Sequence, residues 1–258
     1  MFLENDSVRV EIDLAQGGRI SSLCIDEMEL IVGSADDTLD WGCYPMAPWA
    51  GRLRGGRFEH EGAVFQLPLS LPPHAIHGTV CRQVWERDGE SRAVADLGPD
   101  WPFAGRAVQE FKLEEGALRL RLEIHSEGER FPASLGWHPW FVRNLSRGNP
   151  AELTFSAGAM YERGEDHIPT GRKVAVPQGP WDDCFVDLAS VPEIRWPGAL
   201  RLRLVSQASH WVVYNEPMHA ICVEPMTGPP NGLNLLPDEV TPECPLIGEF
   251  GLEWALEG

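Results

Sequence analysis

A short alternation of apolar and charged residues constrains the fold of this chain more than any other feature. Between Ala117 and Ser126, four apolar side chains occupy every second position and charged side chains fill the positions between them. A period of two places all the apolar groups on one face of an extended strand, whereas a helix would scatter them around its circumference. The segment therefore predicts a β-strand with one buried face and one solvated face.

Similar runs recur along the chain and predict an all-β protein. Clusters of Gly, Pro, Asn and Asp separate them, and 26 Gly and 22 Pro leave little room for long helices. No repeat of roughly 20–50 residues stands out, and no low-complexity linker divides the chain. We predict one domain over residues 1–258, a large antiparallel β-sandwich. The predicted strands are 7–14, 28–32, 63–67, 106–113, 117–126, 200–205, 211–214, 220–224 and 249–256.

The charge balance limits the partners that this chain can have. With 21 Lys+Arg against 39 Asp+Glu, the formal net charge is −18, which repels nucleic acid and anionic membranes. No run of about 18 apolar residues predicts a membrane span, and the N-terminus has no apolar signal-peptide core. The six cysteines are too dispersed for a paired metal motif. These features predict a cytoplasmic protein with reduced thiols, and they leave open whether it is a monomer or a homodimer.

Two glycine-rich segments carry polar groups that point to ligand binding. The first holds Arg52, Arg54 and Arg57, but no phosphate-loop sequence surrounds its glycines. Fixed guanidinium groups can hold a neutral or anionic ligand, although a solvated charged turn is the simpler interpretation for Arg54 and Arg57. The second segment places His74 and His77 three residues apart in a proline-flanked loop. Because no third ligand lies at a usable spacing, we predict no metal there.

The segment from Ala133 to Phe141 has the composition of a cleft lining. If it is a strand, His138 and Trp140 share one face with two small residues, although a structural histidine is an equal alternative. The chain has 10 Trp and only three Tyr, and indole faces pack well on sugar rings. Trp137 and Trp140 are therefore candidate sugar contacts, with ordinary packing as the alternative.

A carboxylate at the end of an apolar strand is a candidate for proton transfer. Glu224 shares its strand face with the small residues Ala220 and Cys222, and burial there would raise its pKa. An edge-strand carboxylate facing water is the alternative. Asp182 and Asp183 provide a possible second acid.

Five short motifs in order, GRLRGGRF, HAIHG, GWHPWF, WDDCF and CVEPM, resemble the galactose mutarotase, or aldose 1-epimerase, family over about residues 45–230. The resemblance implies a galactose mutarotase-like β-supersandwich with an open sugar-binding cleft and no metal or organic cofactor. It also implies site roles for Arg52, His77, His138, Asp182 and Glu224. Departures from the family pattern in the sugar-contacting loops leave the natural sugar open.

The predicted activity is the interconversion of the α and β anomers of a free sugar by ring opening and reclosure. We expect Glu224 to act as base and His138 as acid, about one sugar ring apart and with near-normal pKa values. Arg52, His77 and Asp182 would orient the sugar, and the two tryptophans would form a stacking wall. A non-catalytic sugar-binding or sensing module is the first alternative. The second is a hexose-6-phosphate 1-epimerase. It requires that the arginine loop, the segment from Arg52 to Arg57, place at least two guanidinium groups in the cleft.

Overall fold

The computed structural model describes residues 1–257 and confirms the all-β prediction. One short α-helix, α1 (Gly232–Leu235), occurs within that range, and no helix there is long and apolar enough to cross a membrane. The first thirteen strands are β1 (Phe2–Glu4), β2 (Val8–Asp13), β3 (Arg19–Ile25), β4 (Met28–Glu29), β5 (Cys43–Met46), β6 (Arg52–Leu53), β7 (Arg57–His60), β8 (Ala63–Gln66), β9 (Ala75–Ile76), β10 (Glu86–Arg87), β11 (Arg92–Asp96), β12 (Gly105–Glu114) and β13 (Ala117–Ser126). The others are β14 (Phe131–Ala133), β15 (Gly136–Pro139), β16 (Phe141–Val142), β17 (Glu152–Thr154), β18 (Ala157–Arg163), β19 (Pro169–Val174), β20 (Asp182–Leu188), β21 (Glu193–Trp196), β22 (Leu200–Ser206), β23 (His210–Tyr214), β24 (Ala220–Met226), β25 (Asp238–Val240) and β26 (Leu246–Leu256).

Two antiparallel sheets form the two layers of the sandwich. The long sheet has twelve strands, with the order β1-β2-β3-β5-β15-β24-β23-β20-β18-β19 and with β4 and β16 attached at its side. The eight-stranded sheet has the order β10-β11-β12-β13-β26-β22-β21-β17. The main core lies between them and contains Phe185 and Val213 from the long sheet and Leu120 and Leu252 from the other. Burial of these facing apolar surfaces is the main force that holds the layers together.

Strand β13 confirms the prediction made from the alternation, with the predicted bounds. Leu118, Leu120, Leu122 and Ile124 are buried, and the residues between them face solvent. The strand lies between β12 and β26 in the middle of its sheet. On its outer face, Arg119 pairs with a glutamate of β26, so the polar half of the pattern is used in cross-strand ion pairs.

The outer face of the long sheet carries a row of cross-strand neighbours that positions the chemistry. Gly136 of β15 pairs with Met226 of β24, so two residues further on His138 lies opposite Glu224. The register of the adjacent strand pairs extends this row in both directions. From β5 to β20 the row reads Tyr44, His138, Glu224, Val212 and Cys184. A second, smaller apolar cluster on this face surrounds the polar groups with buried side chains.

The segment from Ala133 to Phe141, considered above as a single strand, is divided among three strands. β14 ends at Ala133, because Ser134 leaves the sheet: its amide donates to the Pro48 carbonyl and its hydroxyl accepts from the Ala50 amide. Proline lacks an amide hydrogen, so Pro139 cannot donate to a neighbouring strand, and β15 ends there. His138 and Trp140 nevertheless lie on the same side, as the alternation predicts.

Candidate active site

An open cleft of about 310 Å³ lies on the outer face of the long sheet, above the row of cross-strand neighbours. Small-molecule sites typically measure roughly 300–1,000 Å³, so this cleft is matched to one small ligand. The sequence-predicted residues that line it are Arg52, His77, His138, Trp140, Asp182, Asp183 and Glu224. They come from β6, β15, β20, β24 and two loops, and only the fold brings them together.

At the floor of the cleft, His138 and Glu224 form a buried pair. The Nε2 atom of His138 lies 3.3 Å from Oε1 of Glu224, and the two side chains are 7% and 3% exposed. The expected separation of about one sugar ring is therefore wrong for this structure. The reason is the register of β15 and β24, which sets the two side chains directly opposite each other.

The expectation of near-normal pKa values for this pair is also wrong. Burial raises the pKa of Glu224 well above its ordinary value; the nearby Asp182 charge adds to the effect, and Arg52 opposes it. Burial lowers the pKa of His138 to about 3, with a smaller opposing contribution from its own backbone and smaller contributions in the same direction from Arg52 and Arg19. The cleft floor thus disfavours charge on both groups. The favoured resting pair is a neutral carboxyl and a neutral imidazole, and the one proton that can pass between them is carried by the Glu224 carboxyl.

His77 reaches the cleft from a strained loop. Its φ of 59° lies in the left-handed region, and its amide donates to the Gly51 carbonyl. A Cβ on the next residue, Gly78, would lie 1.9 Å from the Ala47 carbonyl oxygen, so only glycine fits there. The His77 ring meets that of His138 edge to face at 5.0 Å. Burial, followed by the charge of His138, lowers the pKa of His77 well below its ordinary value, so this ring is neutral.

Two guanidinium groups and two carboxylates form the polar wall of the cleft. Arg52 Nη1 lies 3.5 Å from Asp182 Oδ2, and Arg163 Nη1 lies 3.4 Å from the same oxygen. Arg163 Nε also lies 3.4 Å from Asp183 Oδ1. Burial raises the pKa of Asp182, although both arginines oppose the rise. Asp182, between two guanidinium groups, is the more deeply engaged of the two acids.

The remaining members of the arginine and histidine motifs lie outside the cleft lining. Arg54 forms an ion pair with Asp166, and the exposed Arg57 belongs to the hairpin of β7 with β8. His74 is a loop anchor, since its Nδ1 accepts from the Gly55 amide and its Nε2 contacts the Asp166 carbonyl. The arginine loop therefore supplies a single guanidinium to the cleft.

The two predicted sugar-stacking tryptophans do not have that geometry. Trp137 is a correction: it is 2% exposed, lies on the opposite face of β15 and packs against Phe250 in the core. Successive strand residues point to opposite faces, so it cannot share a face with His138. Trp140 does line the cleft, but its ring is stacked against the imidazoles of His138 and His219.

Several cleft residues were not predicted from the sequence. Arg163 and Tyr161 come from β18, and Tyr44 comes from β5, neither of which was predicted as a strand. Two acids at the mouth, Asp40 and Glu216, belong to loops. None of these positions carries a motif, so only the pairing of strands could have revealed them. Within residues 1–257, no group of three or more His, Cys, Asp or Glu is arranged to hold a metal.

A sequence model of the aldose 1-epimerase family matches residues 2–241. The chain belongs to the aldose 1-epimerase family. This confirms the family predicted from the five short motifs, and it extends the likeness from the site to nearly the full chain.

Solved structures related to aldose 1-epimerases have the same fold. A galactose mutarotase-like protein from Clostridium acetobutylicum is 15% identical, with a TM-score of 0.86 over 99% of this chain and 95% of that one. Galactose 1-epimerase from Lactobacillus acidophilus is 18% identical, with a TM-score of 0.81 over 100% and 94%. The GalM/aldose epimerase homologue from C. elegans is 14% identical, with a TM-score of 0.82 over 100% and 99%. These likenesses confirm the galactose mutarotase-like sandwich.

One curated relative also matches in sequence. The uncharacterized protein YphB of Escherichia coli K12 is 26% identical over 147 residues, 54% of this chain and 50% of the relative. The match therefore spans about half the length of that protein.

Proposed function

We propose that this aldose 1-epimerase family member interconverts the α and β anomers of a free aldose. The observation that carries the proposal is the His138–Glu224 pair, two buried groups that share one transferable proton at the floor of a sugar-sized cleft. Ring opening needs one group to accept a proton and another to deliver one in the same step. A pair that shares a single proton meets both needs.

The proposed step conserves protons and breaks one bond. The base takes the hydrogen of the C1 hydroxyl, C1 becomes a carbonyl carbon as its bond to the ring oxygen O5 breaks, and the acid protonates O5. Rotation about C1–C2 and the reverse transfers close the ring on the other face. With Glu224 as base and His138 as acid, the shared proton must lie on His138 when the sugar reacts. Transfer across the 3.3 Å contact supplies that form; Arg52 favours the resulting carboxylate and disfavours the imidazolium.

The groups of the polar wall fit a binding role. Arg52 and Arg163, which both face Asp182, can donate N–H hydrogen bonds to sugar hydroxyls. The carboxylate of Asp182 can accept hydrogen bonds from other hydroxyls of the sugar. His77 is neutral, and its ring lines the cleft beside that of His138. Held in this way, the reacting atoms stay in line with the catalytic pair.

The charges of the cleft favour an unphosphorylated sugar. Its two guanidinium groups already face Asp182 and Asp183, and Asp40 and Glu216 at the mouth have no ion-pair partner within residues 1–257. Burial, followed by the charge of Asp37, raises the pKa of Asp40. A phosphate would meet this negative rim and find no unpaired cation. A free aldose brings no such charge.

Anomer exchange measured by NMR tests the proposal. The protein is added to a panel of free aldoses and their 6-phosphates, and the exchange rate between the two anomeric C1 protons is compared with that in buffer. We expect a strong acceleration for at least one free aldose and a weaker effect on its 6-phosphate. Binding of a free aldose without exchange would favour a sensing module. Faster exchange of the phosphorylated sugar would contradict the predicted substrate class.

A further inference from the structure

The His138 ring is not held in place by hydrogen bonds in the way a proton-transferring histidine usually is. Its Nε2 faces Glu224, whereas its buried Nδ1 has no hydrogen-bond partner among the described residues. Orientation of a working imidazole normally comes from a bond made by the other ring nitrogen. Some other contact must therefore fix the direction of this ring.

Two aromatic rings stack on that imidazole. Tyr44, its cross-strand neighbour on β5, lies with its ring centroid 4.9 Å away at an interplanar angle of 24°. Trp140, two residues further along the chain, lies 5.3 Å away at 16°. Offset stacking of this kind limits rotation of a ring about its side-chain bonds. Both rings are themselves buried, at 0% and 4% exposed.

One backbone carbonyl anchors both aromatic rings. The Tyr44 hydroxyl donates to the Leu39 oxygen at 3.0 Å, and Trp140 Nε1 donates to the same oxygen at 2.8 Å. A carbonyl oxygen has two lone pairs and can accept both bonds. Leu39 belongs to the cleft lip, which we define as residues 37–40. The imidazole is thus linked to the lip through two rigid rings.

A buried guanidinium fixes the lip in turn. Arg19 is 1% exposed, and its Nη1 donates to the carbonyls of Thr38 at 2.6 Å and Trp41 at 2.9 Å. Its charge also lies over the Trp41 ring, 4.2 Å from the centroid. Arg19 therefore fixes the backbone both before and after Leu39, so the Leu39 carbonyl is a fixed acceptor for the two rings.

From this arrangement we infer that Tyr44 and Trp140 are positioning residues, which hold the His138 imidazole toward Glu224 by stacking and by their shared bonds to the Leu39 carbonyl. The kinetic consequence rests on the proposed function, but the placement of the ring does not. A displacement of about 1 Å in a catalytic group can reduce the rate by roughly 10²-fold. Loss of one stacking face should therefore lower kcat by about 10- to 100-fold and leave KM nearly unchanged.

The first experiment reads the ring directly. Long-range ¹H–¹⁵N spectra report the two nitrogens of each histidine, and His138→Asn identifies the His138 signals. In the natural protein we expect one neutral tautomer with well-separated nitrogen shifts. In Trp140→Leu we expect the two shifts to converge, because a loosened ring exchanges between tautomers. Tyr44→Phe retains the stack and loses only the bond to Leu39, so its effect should be smaller.

Controls make each outcome decisive. Trp181→Leu removes an indole whose Nε1 also donates to a carbonyl, that of Pro177, but it lies outside the cleft lining and should leave the His138 signals unchanged. Should Trp140→Leu fail to fold in a thermal scan, Trp140→Phe, which loses the Leu39 bond and part of the stack, carries the test. Unchanged His138 shifts and kcat in a folded Trp140 variant would overturn the inference. If the natural protein exchanges no aldose, the proposed function fails, and the nitrogen shifts still decide the positioning role.

Discussion

Residues 1–257 contain two His–Glu pairs that lie in opposite environments. On the outer face of the eight-stranded sheet, His125 Nε2 lies 2.7 Å from Glu123 Oε2, with the side chains 26% and 15% exposed. At the floor of the cleft, His138 Nε2 lies 3.3 Å from Glu224 Oε1, and both side chains are almost fully buried. Each pair sits on a sheet of the same sandwich and uses the same two residue types.

The pKa values of the two glutamates are shifted in opposite directions. Partial burial raises the pKa of Glu123, but hydrogen bonds from Arg121 and His125 outweigh that effect and leave it below the ordinary value. For Glu224, burial dominates, and no cation lies close enough to reverse it. The Glu123 carboxylate is thus stabilised as an ion, whereas burial disfavours charge on both members of the cleft pair.

The environment of a His–Glu pair, more than the two residue types, determines which protonation states are available for chemistry. Glu123 pairs with Arg121 on its own strand, and Arg121 also pairs across to Glu249 of β26, where solvent screens each interaction. Glu224 and His138 hold their proton in a form that can be passed on, which is what a catalyst of sugar ring opening requires.

The largest expected difference between the pairs is in activity. Glu224→Gln keeps the shape of the side chain and removes its ability to take up or release a proton. We expect it to lower kcat for anomer exchange by roughly 10²- to 10⁴-fold with little change in KM. Glu123→Gln, the matched surface change, should leave both constants unchanged. NMR exchange measurements on the same free aldose check both variants.

Two results would break this contrast. Full exchange by Glu224→Gln would remove the carboxyl from the mechanism, and an equal loss in both variants would point to a general effect on the fold. A thermal scan of each variant separates these cases, because a folded but inactive Glu224→Gln protein is expected.

A second contrast concerns stability in acid. The His138 pKa is lowered to about 3 in the folded protein, so the unfolded chain binds a proton at this residue near its ordinary value of 6.5 while the folded chain does not. Stability is therefore lost as the pH falls from about 6.5 towards 3. When complete, this proton uptake lowers the free energy of unfolding by about 5 kcal/mol. His138→Asn removes this particular loss and should flatten the acid limb of the stability curve.

Urea unfolding at a series of pH values between 7 and 4 measures the effect. The difference in unfolding free energy between His138→Asn and the natural protein should shift in favour of the variant as the pH falls. His125→Asn retains the buried imidazole and should keep the steep acid limb. Parallel curves for His138→Asn and the natural protein would show that the cleft histidine takes up its proton as easily as in the unfolded chain.

The sequence predicted the eight-stranded sheet better than the long sheet, for a physical reason. Strands such as β13 and β26 have one face in the core and one in water, so their alternation is visible. β5 and β15 are buried on both faces, by the core on one side and by the cleft on the other. The apolar–polar alternation vanishes there, and with it the signal. Tyr44 was missed for this reason.

The site was predictable where a motif existed and was missed elsewhere. Arg52, His77 and Asp182 line the cleft as the family resemblance implied, each from a different part of the chain. Arg163 has no motif around it and reaches the cleft only because β18 pairs with β20. Trp137 could have been placed correctly by the same alternation that put His138 and Trp140 on one face.

The smallest expected effect is on the stability of the surface pair, and it has the opposite sign to that in the cleft. Because the pKa of Glu123 is lowered, its ion pairs stabilise the folded protein above its ordinary pKa of 4.5, and that contribution is lost as the pH falls through the folded value. Glu123→Gln should therefore lower the free energy of unfolding by less than about 1 kcal/mol at pH 7, and by less still in high salt.

Glu224 has a raised pKa, so Glu224→Gln should gain stability relative to the natural protein as the pH rises above 4.5. Urea unfolding of both variants at pH 7 and pH 4 compares the signs directly, and a destabilised Glu224→Gln protein at pH 7 would show that the buried carboxyl is held as an ion.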